Sequence, residues 1–480
     1  MMIPRPRYWM VPALAASLVC SAVPAGGQGS GLQRFERDPG WISFRSRLVP
    51  NPAPFTTQQF GATPDRGPGA FGGKVQRSLK PARFGRVIPT ANMDQRLEAE
   101  GTFRVVAAEG GSGALVGWYR HDSAGWRTPN SLAFRVDGNG GKFWVFFEYG
   151  TRHWLTGGGG CFSGEAYQTT RTPPLLADGK PHVWKLVYEP KPAGDAELSF
   201  TLDGTRYPIP VSREHRLDGA DFDRFGIFNQ MTSGGSLEMY VSEMKVNGAA
   251  VTPREGRWEG DGNNVRYEDR ARRPLHDFGF SPTGFAGGGG GSPGEIGGLV
   301  WRDEAPAYYA AAMPALSLDQ PMKASGRLVF RAAGSDSGVA LGWFDSATKE
   351  AKRSADHEQP QKNLLALVLE GPSRIGHYLR PILRSADGNG TLEDRGPVLR
   401  PDGLRHTWSM AYDPNGAAGR GLLTWSLDDN RFEWALPEQA RARGARFDRF
   451  GWSNLQSGGT FVEVYLDDLQ LEPPTRSASR

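Results

Sequence analysis

The sequence predicts an all-β protein made of two tandem copies of one domain. Three observations carry this. Long segments recur at a period of about 225 residues. Short runs of Val, Leu, Phe, Trp and Tyr alternate with turn residues. No long stretch has the 3.6-residue periodicity of an amphipathic helix. Glycine (64) and proline (36) together make about a fifth of the 480 residues, beside 14 Trp and 25 Phe. That balance suits turn-rich β structure rather than disorder or a helical bundle. A hydrophobic share of 38% and a charged share of 22% exclude a polytopic membrane protein.

Residues 1–25 read as a signal peptide. Arg5 and Arg7 form a basic start, and Val11 to Ala22 is an apolar run too short to span a bilayer. Val23-Pro24-Ala25 then places small residues for cleavage after Ala25. Cys20 follows Val19, which is unsuited to lipidation. The expectation is a secreted or periplasmic protein without membrane insertion. Cys161 is then the one remaining cysteine, so no intramolecular disulfide is expected. It follows the glycines 157–160 with no His or Lys beside it, which reads as an incidental loop cysteine rather than a reactive thiol.

Without the first 25 residues the chain has 54 basic and 52 acidic residues. Neither half carries a dense Lys/Arg stripe, so a nucleic-acid partner has no electrostatic support. Oligomeric state is not legible.

The repeat pairs Gly101–Trp118 with Gly326–Trp343. Asp178-Gly179-x-x-His182-x-Trp184-x-x-x-Tyr188-Glu189-Pro190 pairs with Asp402-Gly403-x-x-His406-x-Trp408-x-x-x-Tyr412-Asp413-Pro414. Phe222-Asp223-Arg224-Phe225-Gly226 pairs with Phe447-Asp448-Arg449-Phe450-Gly451, and Asn229 with Asn454. Glu238-x-Tyr240 pairs with Glu463-x-Tyr465. The expected division is a first domain over 26–250, a linker over 251–257, a second domain over 258–472 and a disordered tail over 473–480. The glycine run 287–291 lacks the Lys-Ser/Thr of a phosphate loop and reads as a flexible loop.

These repeated Asp-Gly-x-x-His-x-Trp and Phe-Asp-Arg-Phe-Gly segments resemble concanavalin A-like lectin/glucanase domains, laminin-G-like jelly rolls included. The resemblance covers both copies. It implies two tandem antiparallel jelly-roll β-sandwiches. It does not fix an activity, since that superfamily holds lectins, carbohydrate-binding modules, adhesion domains, hydrolases and lyases.

One hairpin can be read in detail. Ser131 to Asp137 and Lys142 to Tyr149 flank Gly138–Gly141. The spacing places Asp137 opposite Lys142, Arg135 opposite Trp144 and Ala133 opposite Phe146. Leu132, Phe134, Val136, Phe143, Val145 and Phe147 then form the core face. The other face carries Arg135, Asp137, Trp144 and Glu148. That is a surface able to stack a sugar ring and bond its hydroxyls, or a solvated sheet with an Arg135–Trp144 cation–π pair. Gapless alignment puts Glu370 in the place of Asp137 and His377 in that of Trp144. With Trp343 and Asp345 on the preceding strand, these would form one cluster. Copy 1 has Trp118 and Arg120 there. Candidate ligand-binding residues are therefore Trp118, Arg120, Arg135, Asp137, Trp144 and Trp343. Glu370, His377 and Asp345 are the candidate acid/base residues.

His182 and His406 alternate with Trp184 and Trp408, which places them on a bulky, buried face rather than in a site. Asp467-Asp468 offers oxygens of the kind Ca²⁺ takes, and the resembling families often carry such a site. Ser242-Glu243 in copy 1 points instead to strand-end carboxylates. Calcium is the one cofactor suggested.

The paired glutamates of the glucanases, Glu-x-Asp-x-x-Glu, are absent. So are His-Glu-x-x-His and Cys-x-x-Cys. Arg266-Tyr267-Glu268-Asp269-Arg270 resembles one alginate-lyase strand, without the partner motifs. The reading is an exported protein that binds carbohydrate through concave β faces. A polysaccharide-cleaving enzyme using copy 2, and an adhesion module for protein, stay open.

Overall fold

The computed structural model describes residues 31–48, 54–67, 69–161, 175–269, 276–287, 293–347, 362–373, 375–455 and 459–472. The expected signal peptide, the tail 473–480 and glycines 288–291 lie outside them.

Four antiparallel sheets pack as two sandwiches. In copy 1, sheet I runs Thr156–Gly160, Lys142–Gly150, Ser131–Gly138, Ser112–Tyr119, Asp221–Asn229, Arg83–Asn92, Trp258–Asp261. Sheet II runs Thr205–Val211, Ala196–Leu202, Pro181–Pro190, Leu97–Ala108, Ser236–Val246, Phe71–Gln76, Phe55–Ala62, Asn264–Glu268. Sheets III and IV repeat I and II in copy 2. Sheet III is centred on Arg446–Asn454, Ser337–Phe344, Leu364–Gly371 and His377–Arg384. Sheet IV is centred on Phe461–Glu472, Met322–Ala333 and Arg405–Asp413. Alternation along each strand sends every second side chain between the paired sheets. Trp118, Trp184, Phe134 and Phe147 fill the first core, and Trp343, Trp408, Trp425 and Trp452 the second.

The strands do not divide where the sequence suggests. Leu32–Gln33 pairs with Phe461–Glu472, and Ile42–Phe44 with Tyr308–Ser317, so the segment before copy 1 belongs to the second sandwich. Trp258–Asp261 and Asn264–Glu268 instead close the edges of the first. The expected boundaries at 250 and 258 are therefore corrected at both ends. The physical reason is edge closure. Trp258 stacks on Phe84 in copy 1, with ring centroids 5.1 Å apart. Trp41 does the same on Tyr309 in copy 2, at 5.7 Å. Each sandwich needs an aromatic edge strand, and the second takes its own from the start of the described chain.

The hairpin faces are as expected, but its register is not. Asp137 lies opposite Trp144, Arg135 opposite Phe146 and Ala133 opposite Glu148. The shift of two residues keeps every side chain on its face. Leu132, Phe134, Val136, Phe143, Val145 and Phe147 all enter the core. In copy 2 the turn holds one residue more, so Glu370 faces Tyr378. A slip of one inverts the faces. Tyr378 moves to the outer face, and His377 turns toward the core beside Phe330, at 4.8 Å between centroids.

The two sandwiches touch. Leu79 of copy 1 packs against the cluster of Trp301 and Phe461 of copy 2. At Gly334 a Cβ would lie 2.8 Å from Thr232 Oγ1, so the Thr232 side chain of copy 1 leaves no room there for a side chain in copy 2.

Candidate functional site

The two repeated asparagines build the walls around this contact. Asn229 accepts a hydrogen bond from the Ala82 N–H at 2.8 Å and donates to the Lys80 carbonyl at 3.0 Å. Asn454 does the same with the Ala307 N–H at 2.7 Å and the Ala305 carbonyl at 2.9 Å. Both are buried, and both pin the loop leaving a repeated Gly-Gly-x-Val-x-Arg strand. In that strand Gly72 and Gly297 have φ of 141° and 153°. A Cβ on either would strike the neighbouring strand's carbonyl at 2.1 and 2.0 Å. The arginines that end the motif, Arg77 and Arg302, reach the outer faces of sheets I and III. Arg77 meets Asp137 at 2.7 Å, and Arg302 meets Glu370 at 2.5 Å. This arginine–carboxylate pair is common to both copies. The repeat itself reveals the arginines, because the Gly-Gly-x-Val-x-Arg motif recurs at the period of about 225 residues; the carboxylates do not keep that period.

The copies diverge around that pair. In copy 1, Arg135 bonds Asp137 and also Glu148, the latter at 3.0 Å. Burial by itself would raise the Asp137 carboxyl. Arg135 and Arg77 outweigh it and hold the pKa below the usual carboxylate value. Arg135 stacks on Phe146, 4.5 Å from its centroid, and not on Trp144 as the expected pairing had it. In copy 2, Arg380 joins Glu370 at 3.3 Å.

Two cavities open between the sandwiches, and Trp126 lines both. The smaller, about 470 Å³, lies over sheet I, with Arg77, Arg127, Arg135, Glu148 and Gln230 on one side and Asp336 and Pro372 of copy 2 on the other. The larger, about 660 Å³, has Trp126, Arg152, His153 and Trp154 on the copy 1 wall and Arg331, Arg400 and Asp402 on the copy 2 wall. Both volumes fall within the range of small-molecule sites, roughly 300–1,000 Å³.

Trp154 is held in place at a conformational cost. Its φ is 64°, a left-handed value that a bulky residue adopts only under constraint. The constraint is visible. Its N–H donates to the Thr151 carbonyl at 3.2 Å, and Thr151 Oγ1 accepts the Leu155 N–H at 2.9 Å. Asp218 clamps His153 through its N–H at 3.1 Å and Nδ1 at 2.6 Å. Gly125 gives the indole room, since a Cβ there would sit 3.2 Å from it. Both Trp126 and Trp154 are half-buried. On the facing wall Arg331 stacks over Phe285, 3.7 Å from its centroid, and bonds Glu463 at 2.9 Å.

The structure disperses most of the residues singled out from sequence. Trp118 and Trp343 are core side chains, edge-on to Phe225 and Phe450 at 4.9 and 5.1 Å. They face inward because each is in phase with the apolar residues of its strand. Trp144 shares the outer face with Asp137 but is buried. Arg120 stands at a strand end and pairs with Asp122 at 2.7 Å, away from both cavities. Arg135 and Asp137 do line the smaller cavity.

The acid/base cluster does not form. Glu370 pairs with Gly338, at one end of Ser337–Phe344, and Asp345 follows its other end. At about 3.3 Å per residue the two carboxyls stand roughly 20 Å apart. Asp345 bonds Asn363 and Arg446, each at 3.3 Å. His377 is buried with Nε2 2.8 Å from Ser337 Oγ. His182 and His406 share a face with the core residues Trp184 and Trp408. Each binds an aspartate through Nδ1, Asp203 at 2.8 Å and Asp428 at 2.7 Å.

Asp467 and Asp468 do not form a calcium cage. Asp467 accepts the Phe35 N–H at 3.2 Å, and Asp468 is held by Arg34 and Arg327 at 3.3 and 3.1 Å. Burial raises the Asp467 pKa, which opposes the charge a cation needs. Among the described residues, no three His, Cys, Asp or Glu are grouped to hold a metal. Burial also pushes the Cys161 thiol well above its usual pKa, so it is poor in thiolate. No helix among the described residues is long and apolar enough to cross a membrane.

No family model matches the chain, and no curated protein does. Among solved structures, the mouse laminin alpha1 chain domains LG4-5 are similar at 13% identity, covering 89% of this chain and 97% of that one, with a TM-score of 0.24. The carbohydrate recognition domain of Emp47p matches at 11% identity over 42% of this chain and 91% of its own, with a TM-score of 0.27. The alginate lyase Aly36B matches at 9% identity over 38% and 82%, with a TM-score of 0.26.

Proposed function

We propose that the protein is an exported carbohydrate-binding protein that holds a polysaccharide in the cleft between its two sandwiches. One observation carries this. Trp126 and Trp154, neither of them a core side chain, line an open cavity of about 660 Å³ whose other wall belongs to the second copy and carries Arg331, Arg400 and Asp402. An indole offers a flat apolar surface to the C–H face of a pyranose, and flanking arginines donate to its oxygens. The strained Trp154 turn supports the same reading, since a constraint of that kind persists only where the surrounding structure imposes it.

The test is retention on a panel of insoluble and soluble polysaccharides, followed by titration of the best one. Trp154→Gly is the informative variant. Glycine accepts the left-handed φ, so the fold is expected to keep its melting temperature within a few degrees. Loss of the ring is expected to weaken binding about tenfold or more, which is about 1.4 kcal/mol. Undiminished binding by Trp154→Gly would refute the cleft assignment, and retention of no glycan by the wild type would refute the function. Export has its own check. Protein recovered outside the cytoplasm is expected to begin at Gly26, and recovery confined to the cytoplasm would overturn it.

A further inference from the structure

We infer that the cleft selects an acidic polysaccharide, reading carboxylate or sulfate groups with arginines contributed by both copies. This rests on the carbohydrate reading above and narrows it to a chemical class.

The argument is one of unequal compensation. Each carboxylate lining the two cavities is already engaged within the protein. Asp137 is held by Arg77 and Arg135, Glu148 by Arg135, and Asp336 by Arg302 at 3.1 Å. Asp402 has no ion-pair partner among the described residues, but it is exposed to solvent and accepts the Leu404 N–H at 2.9 Å. The cations are not balanced in the same way. Among the described residues Arg400 has no ion-pair partner, and its Nε is buried without a hydrogen-bond partner. Among the described residues Arg152 pairs only with Asp221, at 3.6 Å and near the surface. A partly desolvated guanidinium without a counter-charge gains from any anion that enters beside it.

The choice of cation points the same way. Among the described residues, no lysine lines either cavity. Arginine presents a planar fork that matches a carboxylate or sulfate in two parallel hydrogen bonds. Neutral hydroxyls need no such fork. Because Trp126 borders both cavities, a chain lying across it would meet Arg400 and Arg331 on one side and Arg127 on the other. Repeated anionic units along a polymer suit that spacing better than one isolated charge.

The experiment compares charged and uncharged forms of the same backbone. Polygalacturonate is titrated against its carboxyl-reduced polymer, and dextran sulfate against dextran, with the full mature chain. The expected result is at least tenfold tighter binding of one or both charged forms. That preference should shrink as salt shortens the screening length from about 10 Å at 0.1 M to about 3 Å at 1 M. Whichever pair shows it identifies carboxylate or sulfate. Arg400→Gln is expected to lower the charged-to-uncharged affinity ratio severalfold. Arg400→Lys, which keeps the charge but not the fork, should recover part of it, with melting temperatures confirming that both variants fold. Equal affinity for charged and uncharged polymers, or a ratio untouched by Arg400→Gln, overturns this inference and leaves the carbohydrate reading standing. Retention of none of these, together with an empty wider panel, overturns both.

Discussion

Replacing Trp41 with alanine is expected to destabilise the second sandwich by about 3–5 kcal/mol, the cost of truncating a large buried aromatic. The residue lies outside both repeats, yet it is only 7% exposed. It meets Phe35 edge-on at 5.5 Å and stacks on Tyr309 at 5.7 Å. Its counterpart in copy 1 is Trp258, which performs the same closure on Phe84. Urea unfolding of the full chain, followed by tryptophan fluorescence, measures the effect. The lower-stability transition should move for Trp41→Ala, whereas Leu32→Ala, at an exposed position, should leave it in place. An unchanged unfolding profile for Trp41→Ala would mean that the early segment does not complete the second core. The same packing predicts that a chain beginning at residue 258 lacks an edge strand and two core aromatics, so it should bind hydrophobic dyes and melt without cooperativity.

A second large effect is expected from pH, through His377. Burial, reinforced by the charge of Arg302, lowers its pKa from 6.5 to about 3. The folded protein therefore holds a neutral imidazole where the unfolded chain would bind a proton. Between those two values the unfolded state carries more protons, so stability rises with pH. The contribution is fully present above 6.5 and erodes as pH falls toward the folded value near 3. At about 1.4 kcal/mol per pKa unit the whole window is worth on the order of 5 kcal/mol. His377→Gln keeps a polar partner for Ser337 but cannot titrate. Its stability should therefore change much less than that of the wild type between about pH 7 and about pH 4.5. Parallel pH profiles for the two proteins would assign the acid sensitivity to other groups. Asp137 contributes separately and at lower pH. Its lowered pKa stabilises the fold above the ordinary carboxylate value and is lost only as pH falls below it.

How much of this was legible depended on the range of the interaction. The core face of the Ser131–Gly138 hairpin could be read directly, because a period of two is a local property of the chain. Its pairing could not, since the turn set the register two residues away from the expected one. The consequence was small in copy 1, where an even shift preserves the faces. In copy 2 a single extra turn residue turned His377 inward and Tyr378 outward, which removed the basis for grouping it with Glu370 and Asp345. The faces of Trp118 and Trp343 are hidden from the sequence for a related reason. An indole in a strand reads alike on either face until its partners are known.

The cleft residues carried no comparable signal. Trp126, Trp154, Arg152 and Arg400 stand in loops without alternation, and their importance comes only from facing each other across two copies. Sequence adjacency places the segment holding Phe35 and Trp41 in the nearer domain, because it says nothing about which sheet edge is open.

The sequence by itself determined the duplication, the all-β class, the concanavalin A-like resemblance and the aromatic cores. Each of these follows from patterns repeated within one strand or one copy. The tertiary structure decided register, the exchange of the early segment into the second sandwich, and the cleft between them. Those depend on turn length and on which edges and walls meet in space, where a shift of one residue inverts a face and loops distant in sequence become neighbours.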